Sequence, residues 1–193
     1  MRQHFFTKFP FFAVLILLTA PGFRSAAQPI TGDQIKAQFI QDWQRAKAYT
    51  LDYLNTMPAD KYSFKAVDSI RSFSQQMLHL ASGNVFLVST ASGEQTQWPG
   101  RGLETSPTAQ NKDSVVWYVT RSYDFTIESI TKLDPNKYGE LVDYGNPAGP
   151  KPMRHVTRYV LLQKAFEHQT HHRGQTTIYI RLLGIRPPGE RLF

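Results

Sequence analysis

Cysteine is absent from the 193 residues, and that absence removes disulfides, thiolate metal ligands and a cysteine nucleophile together. With no covalent cross-link, the folded chain must be held by its packing. Clustered charge is missing as well. The 22 Lys and Arg outnumber the 15 Asp and Glu to give +7, yet they form no basic run, so the excess reads as a solvated surface and no nucleic-acid partner is expected. Nor is there an apolar run of the roughly 20 residues that a bilayer requires. The apolar stretch Phe11 to Leu18 is far shorter, and Pro21-Gly22 follows it closely.

What the first residues do contain is the pattern of a secretory signal peptide. Arg2 and Lys8 supply a positive start, Phe11 to Leu18 the apolar segment, and Ser25-Ala26-Ala27 the small residues before Gln28. The expectation is a signal peptide over 1–27 and a single domain over 28–193, exported to the periplasm or secreted, with no stable membrane span after cleavage. Cleavage removes Arg2, Lys8 and Arg24 and no acid, which leaves +4. The remaining length suffices for one domain with a proper core.

Four segments with helical periodicity follow, and no convincing alternating strand. The first, about Asp33 to Thr56, repeats Phe39, Trp43, Ala46, Thr50, Tyr53 and Met57 on one face, with Thr31 or Asp33 as its cap and Pro58 as its stop. The second is expected from Ile70 to Thr90 behind Ser69, with Phe73, Met77, Leu80, Asn84 and Leu87 inward. The third, Asp113 to Leu133, carries Val116, Val119, Tyr123, Ile127 and Ile130. The fourth, Arg154 to Leu183, places Leu161, Ala165, His168, His172, Gln175, Tyr179 and Leu182 on one stripe, and Gly184 with Pro187-Pro188 ends it. Residues 91–112 and 134–153 are rich in Gly, Pro, Ser and Asn and read as long connections. These features predict an all-α domain, a four-helix bundle with long crossover connections.

Histidine carries the chemistry. His168 and His172 stand four apart, so one turn of helix brings both rings to one face, where they can share a metal ion. Their stripe is otherwise inward, and two buried imidazoles are costly unless an ion or hydrogen bonds satisfy them. His79, on the second helix with Gly83 a turn beyond to leave room beside a ring, is the third candidate ligand. An ordinary core histidine bonded to a neighbouring side chain stays open for it. Gln175, on the inward stripe, and Arg173, beside it, are candidates to hold a ring or a bound water. Helix packing for Gln175 and a surface ion pair for Arg173 are equally consistent with their positions. His171 reads as surface or outer partner, and His155 as a cap or solvent-facing residue.

Several stretches together resemble the DinB/YfiT-like family. They are Phe166-Glu167-His168-Gln169-Thr170-His171-His172-Arg173-Gly174-Gln175 with Leu182-Leu183-Gly184-Ile185-Arg186-Pro187-Pro188, then Ser74-Gln75-Gln76-Met77-Leu78-His79-Leu80 with Asn84. Trp43, Leu54-Asn55-Thr56-Met57-Pro58 and Tyr62-Ser63-Phe64-Lys65 complete the set. The resemblance implies a four-helix bundle with an up-up-down-down-like order, often a homodimer, that binds a divalent metal through His79, His168 and His172. Related proteins include thiol-S-transferases, and many relatives have no assigned reaction.

Three neutral imidazoles leave a coordination position open for water or substrate. Zinc is the first expectation, with nickel, iron or manganese also suited to imidazole. The resulting expectation is an exported, metal-dependent hydrolase or transferase acting on a small molecule whose identity the sequence leaves open. The alternative is a non-catalytic, metal-stabilised protein that is stress-associated or binds a partner.

Overall fold

The computed structural model describes residues 28–145 and 152–193; the stretch read above as a signal peptide lies outside them. Four long helices form the body: α1 (Gly32–Thr56), α2 (Phe73–Ser92), α3 (Lys112–Lys132) and α4 (Arg158–Leu182). Thr31 caps α1, and Gln34 returns the bond to the Thr31 backbone, so two otherwise orphaned N–H groups are satisfied reciprocally. Ser72 and Gln75 do the same for α2. Ser72 therefore replaces the expected cap Ser69, and α2 begins at Phe73, three residues later than its expected start at Ile70. At the far end of α4, Gly184 adopts φ 74°, the left-handed turn that lets Ile185 N–H reach back to the Ile180 carbonyl at 3.2 Å.

The bundle's directions follow from cross-helix contacts. Lys36 reaches the Leu133 carbonyl and Lys112 the Met57 carbonyl, so α1 and α3 are antiparallel. Ser74 bonds Gln110 and Glu94 pairs with Lys132, so α2 and α3 run parallel. Gln76 meets His172 while Arg158 meets the Ala91 carbonyl, so α2 and α4 are antiparallel. The order is therefore up, down, down, up rather than up-up-down-down. Each of α1 and α2 packs along both α3 and α4, which puts α1 and α2 at diagonal corners.

Both long connections are crossovers, of different kinds. Residues 93–111 travel the length of the bundle beside α2, because they must join two parallel helices. Between α3 and α4, the described residues 133–145 and 152–157 lie at one end of the bundle, on the diagonal from α3 to α4. Within them β1 (Leu141–Tyr144) and β2 (Arg154–Thr157) pair antiparallel, Leu141 opposite Thr157 and Tyr144 opposite Arg154. This ribbon corrects the expected helix start at Arg154. Thr157, with its hydroxyl on the Val160 N–H, is the cap, and it is also the last residue of the strand Arg154–Thr157.

The core is the sum of the inward stripes. Trp43, Leu54, Met57, Phe73, Met77, Leu80, Val119, Tyr123, Ile130, Leu162 and Ile180 are fully enclosed, with Trp43 edge-on to Tyr123 and Phe166. Burial on this scale contributes about 1.5–3 kcal/mol for each large apolar side chain. Among the described residues, no helix is long and apolar enough to cross a membrane.

Candidate metal centre

The antiparallel packing of α2 on α4 sets His79 across from the one-turn pair His168 and His172. One donor nitrogen from each of the three lies within 4.8 Å of the other two. Ring centroids are separated by 4.4 Å (168 to 172), 4.5 Å (79 to 172) and 5.2 Å (79 to 168). A tetrahedral ion with bonds of about 2.0–2.1 Å holds its ligand nitrogens roughly 3.4 Å apart. Modest ring rotations close that gap, so the donor set fits a divalent ion.

Outer partners aim two of the rings. His79 Nδ1 bonds the Glu104 carboxylate, and Arg71 braces that carboxylate through Nε at 2.8 Å while its Nη2 lies 3.4 Å from His79 Nδ1. His172 Nδ1 accepts from Gln76 Nε2 at 2.9 Å. With both Nδ1 atoms occupied, the Nε2 atoms are the ones left for an ion, the arrangement by which carboxylate and amide partners orient metal-binding histidines. A metal-bound His172 would carry its proton on Nδ1, and the Gln76 amide meets that need by turning its oxygen to the ring.

Electrostatics favour the ligand form. Burial first, then the neighbouring His168, His79, His171 and Arg71, push the His172 pKa down to about 3. The ring therefore stays neutral, as a metal ligand must be, over the whole physiological range. Burial raises the Glu104 carboxyl, but the bonds and charges of His79 and Arg71 outweigh it and hold the group below the usual carboxylate value. Glu104 thus remains an anion beside His79.

Gly83 makes the centre possible, though by a different contact from the one its position beside His79 suggests. A β-carbon there would lie 2.0 Å from His168 Cε1 and 2.4 Å from its Nδ1. The missing side chain is the space that the His168 ring fills.

A cleft of about 810 Å³ opens over His172. Its floor includes Gln76 and His172, one wall is the 65–71 segment leading into α2, another is α4, and Glu104 with Thr105 close the third side. Tyr179 ties two walls together by donating its hydroxyl to the Arg71 carbonyl at 2.6 Å.

The remaining sequence candidates are distributed differently. Gln175 is exposed on the cleft wall and its amide bonds no described residue. Arg173 turns away from the cleft into the bundle, where its guanidinium donates to Gln169 Oε1 at 2.8 Å and Thr50 Oγ1 at 3.5 Å and lies 4.6 Å from the Tyr49 ring centroid. It is buried, and no surface ion pair forms. His171 lines the cleft beside His172. His155 is exposed on β2 and pairs with Asp143 Oδ1 at 2.7 Å. Glu104, Arg71 and Gln76 were not singled out from the sequence. Two of them sit on connections with no periodic signal, and only the fold brings them to the rings.

The DinB family model matches residues 29–191. Among solved structures, a DinB-like protein of Bacillus cereus superposes with TM-score 0.67 at 16% identity, covering 80% of this chain and 97% of that one. A DinB-like protein of Bacillus subtilis gives TM-score 0.60 at 18% identity, covering 79% and 96%. A conserved protein of Enterococcus faecalis gives 0.61 at 17% identity, covering 81% and 99%. At these identities the likeness shows a shared fold. No curated protein matches the chain.

Proposed function

This chain belongs to the DinB family, and from that premise we propose that it is an exported metal-dependent enzyme, a hydrolase or transferase of a small molecule, whose single divalent ion is held by His79, His168 and His172. The observation that carries the reading is the joint one of a compact three-nitrogen set and a cleft over one of its members. A divalent ion in a three-imidazole site supplies Lewis acidity, polarising a carbonyl or lowering the pKa of a water or thiol. Zinc suits the all-nitrogen set and remains our first choice, ahead of nickel, iron or manganese.

The chain's own residues do the rest. Glu104 holds His79 by its Nδ1, and Gln76 holds His172, so neither ring can swing out when substrate enters. Arg71 keeps the Glu104 carboxylate in place and brings a positive charge to the cleft wall. The wall formed by Ile70, Ile178 and Tyr179 excludes water from an apolar portion of the ligand. Export rests on the residue pattern of 1–27, and a homodimer on the family resemblance.

A non-catalytic reading has one observation in its favour. An ion here would staple α2 to α4 and, through Glu104, the 93–111 crossover to both. The cleft over His172 favours catalysis, because a structural ion is normally closed off from solvent.

Metal analysis of protein purified without a nickel column tests the site. About one ion per chain is expected in the wild type, as a single three-ligand set requires, and its loss in His168→Ala and His172→Ala. Wild type without stoichiometric metal, behaving like both variants, would overturn it. Hydrolysable esters and amides, and thiols with an electrophile, then form the two arms of an activity screen.

A further inference from the structure

The cleft is unbalanced in what its walls have left to offer. The Lys65 ammonium and the Gln175 amide have no partner among the described residues. Arg71 engages Glu104 through Nε and approaches His79 through Nη2, which leaves N–H donors on the guanidinium unspent. Of the two carboxylates in the lining, Glu104 is already shared between His79 and Arg71, so Asp68 is the one left uncommitted. Two cations, Lys65 and Arg71, thus keep N–H donors to spare on the cleft walls, against the one uncommitted carboxylate of Asp68.

The same walls are apolar elsewhere. Ile178 is 55% exposed and Ile70 38%, and both border the cleft with the Tyr179 ring. Large aliphatic side chains left open beside unspent cationic donors fit a ligand with an apolar body and an anionic end.

We propose that the cleft binds a small carboxylate whose acidic group is held by Arg71, with Lys65 and Gln175 at the rim, and whose apolar body lies against Ile70, Ile178 and Tyr179. It rests on the reading of the three-histidine site only for which end of the ligand reacts. The anion subsite itself belongs to the 65–71 segment and α4, and it operates whether or not an ion is present. Arg71 is its centre because its charge is fixed at every relevant pH and its planar donors match a carboxylate.

Phenylacetate and phenylacetamide, which share a ring and differ in charge, are the probes, titrated by NMR into the full chain freed of metal with a chelator. The acid is expected to bind at least about tenfold tighter than the amide, as a charge-assisted contact replaces a neutral one. Arg71→Met should erase that preference while leaving the amide within about twofold, and Lys65→Glu should weaken the acid alone, with raised salt acting in the same direction. Equal affinity for both probes, binding of neither, or a preference that survives Arg71→Met overturns the proposal. If Arg71→Met disturbs the cleft enough to lose the amide too, Lys65→Glu decides: an unchanged preference there overturns it.

The same titration on zinc-loaded chain separates this subsite from the histidine centre. Acid binding that appears only with zinc and ignores Arg71→Met sinks the subsite and leaves the centre standing. A chain that takes up no zinc yet keeps an Arg71-dependent preference does the reverse.

Discussion

His172 and Arg173 are neighbours on α4 and are buried alike, at 7% and 8% exposure, yet they solve the problem of a buried basic group in opposite ways. His172 faces α2 and the cleft, and gives up its charge: its pKa falls to about 3, with burial the leading cause. Arg173 faces α1 and cannot give up its charge. It is accommodated by the Tyr49 ring, the Gln169 oxygen and the Thr50 hydroxyl, while Tyr123 donates to the same Gln169 oxygen and meets Thr50 at 2.7 Å. One side of α4 thus offers neutral nitrogens that can coordinate a cation, and the other carries a cation of its own. A titratable group leaves lone pairs for a ligand; a permanent cation consumes the acceptors around it.

The largest expected effect breaks the Arg173 side. Arg173→Ala empties a space between α1 and α4 and strips the Gln169 and Thr50 oxygens of a donor, at a cost of about 3 kcal/mol in urea unfolding. Metal affinity should stay within about twofold, because the guanidinium bonds none of the ligands. A matching collapse of metal binding in a folded variant would show that the two sides are one network.

On the histidine side, Glu104→Ala is expected to weaken metal binding about 10- to 100-fold by freeing His79, with chelator competition as the measurement. Gly83→Ala drives a methyl into the space of His168. It should cost about 1–3 kcal/mol of metal-free stability by overpacking and remove tight metal binding as well. If Gly83→Ala binds metal normally, His168 is not held where the centre needs it.

The pH dependence of the metal-free protein sharpens the contrast. Unfolded histidine takes up its proton near pH 6.5, whereas folded His172 resists until about 3. Stability is therefore full above pH 6.5 and is lost as pH falls through the window from 6.5 to about 3. The Arg173 side responds at the other extreme. Tyr123 is raised from 10 to about 12, chiefly by burial, so the unfolded chain ionises first and stability falls as pH rises from 10 to 12. His172→Gln should flatten the acid arm and leave the alkaline arm, and Tyr123→Phe the reverse, in denaturant midpoints read across pH. The smallest effect belongs to neither side. His155→Ala removes an exposed pair on the ribbon and should move stability by less than about 0.5 kcal/mol.

How far the site was legible depends on the helix geometry of α4. A stripe with steps of four and three repeats every 3.5 residues, while the helix turns every 3.6, so a long stripe drifts around the surface. Residues Leu161, Leu162, Ala165, Gln169, His172, Arg173, Thr176, Tyr179 and Ile180 are the buried set. At 100° per residue they span an arc of about 120° centred near Thr176, wider than one stripe because α4 is packed against both α1 and α2. His168 falls at the edge of that arc beside the cleft, Gln175 and Leu182 fall outside it, and Arg173 falls within it. The expected stripe therefore placed the two histidines well and exchanged the roles of the residues after them.

Sequence alone determined what local physics controls. The stops at Pro58 and Gly184, the one-turn pairing of His168 with His172, and the polar interruption of an inward stripe all follow from neighbours within a few residues. Only the tertiary structure decided what depends on distant chain meeting: Glu104 from the crossover on His79, Gln76 on His172, the ring of His168 in the gap left by Gly83, and the extended ribbon that ends at Thr157. Helical periodicity reports which face turns inward. It carries no record of which other element that face will meet, and the third histidine of the cluster, His79, comes from such a meeting.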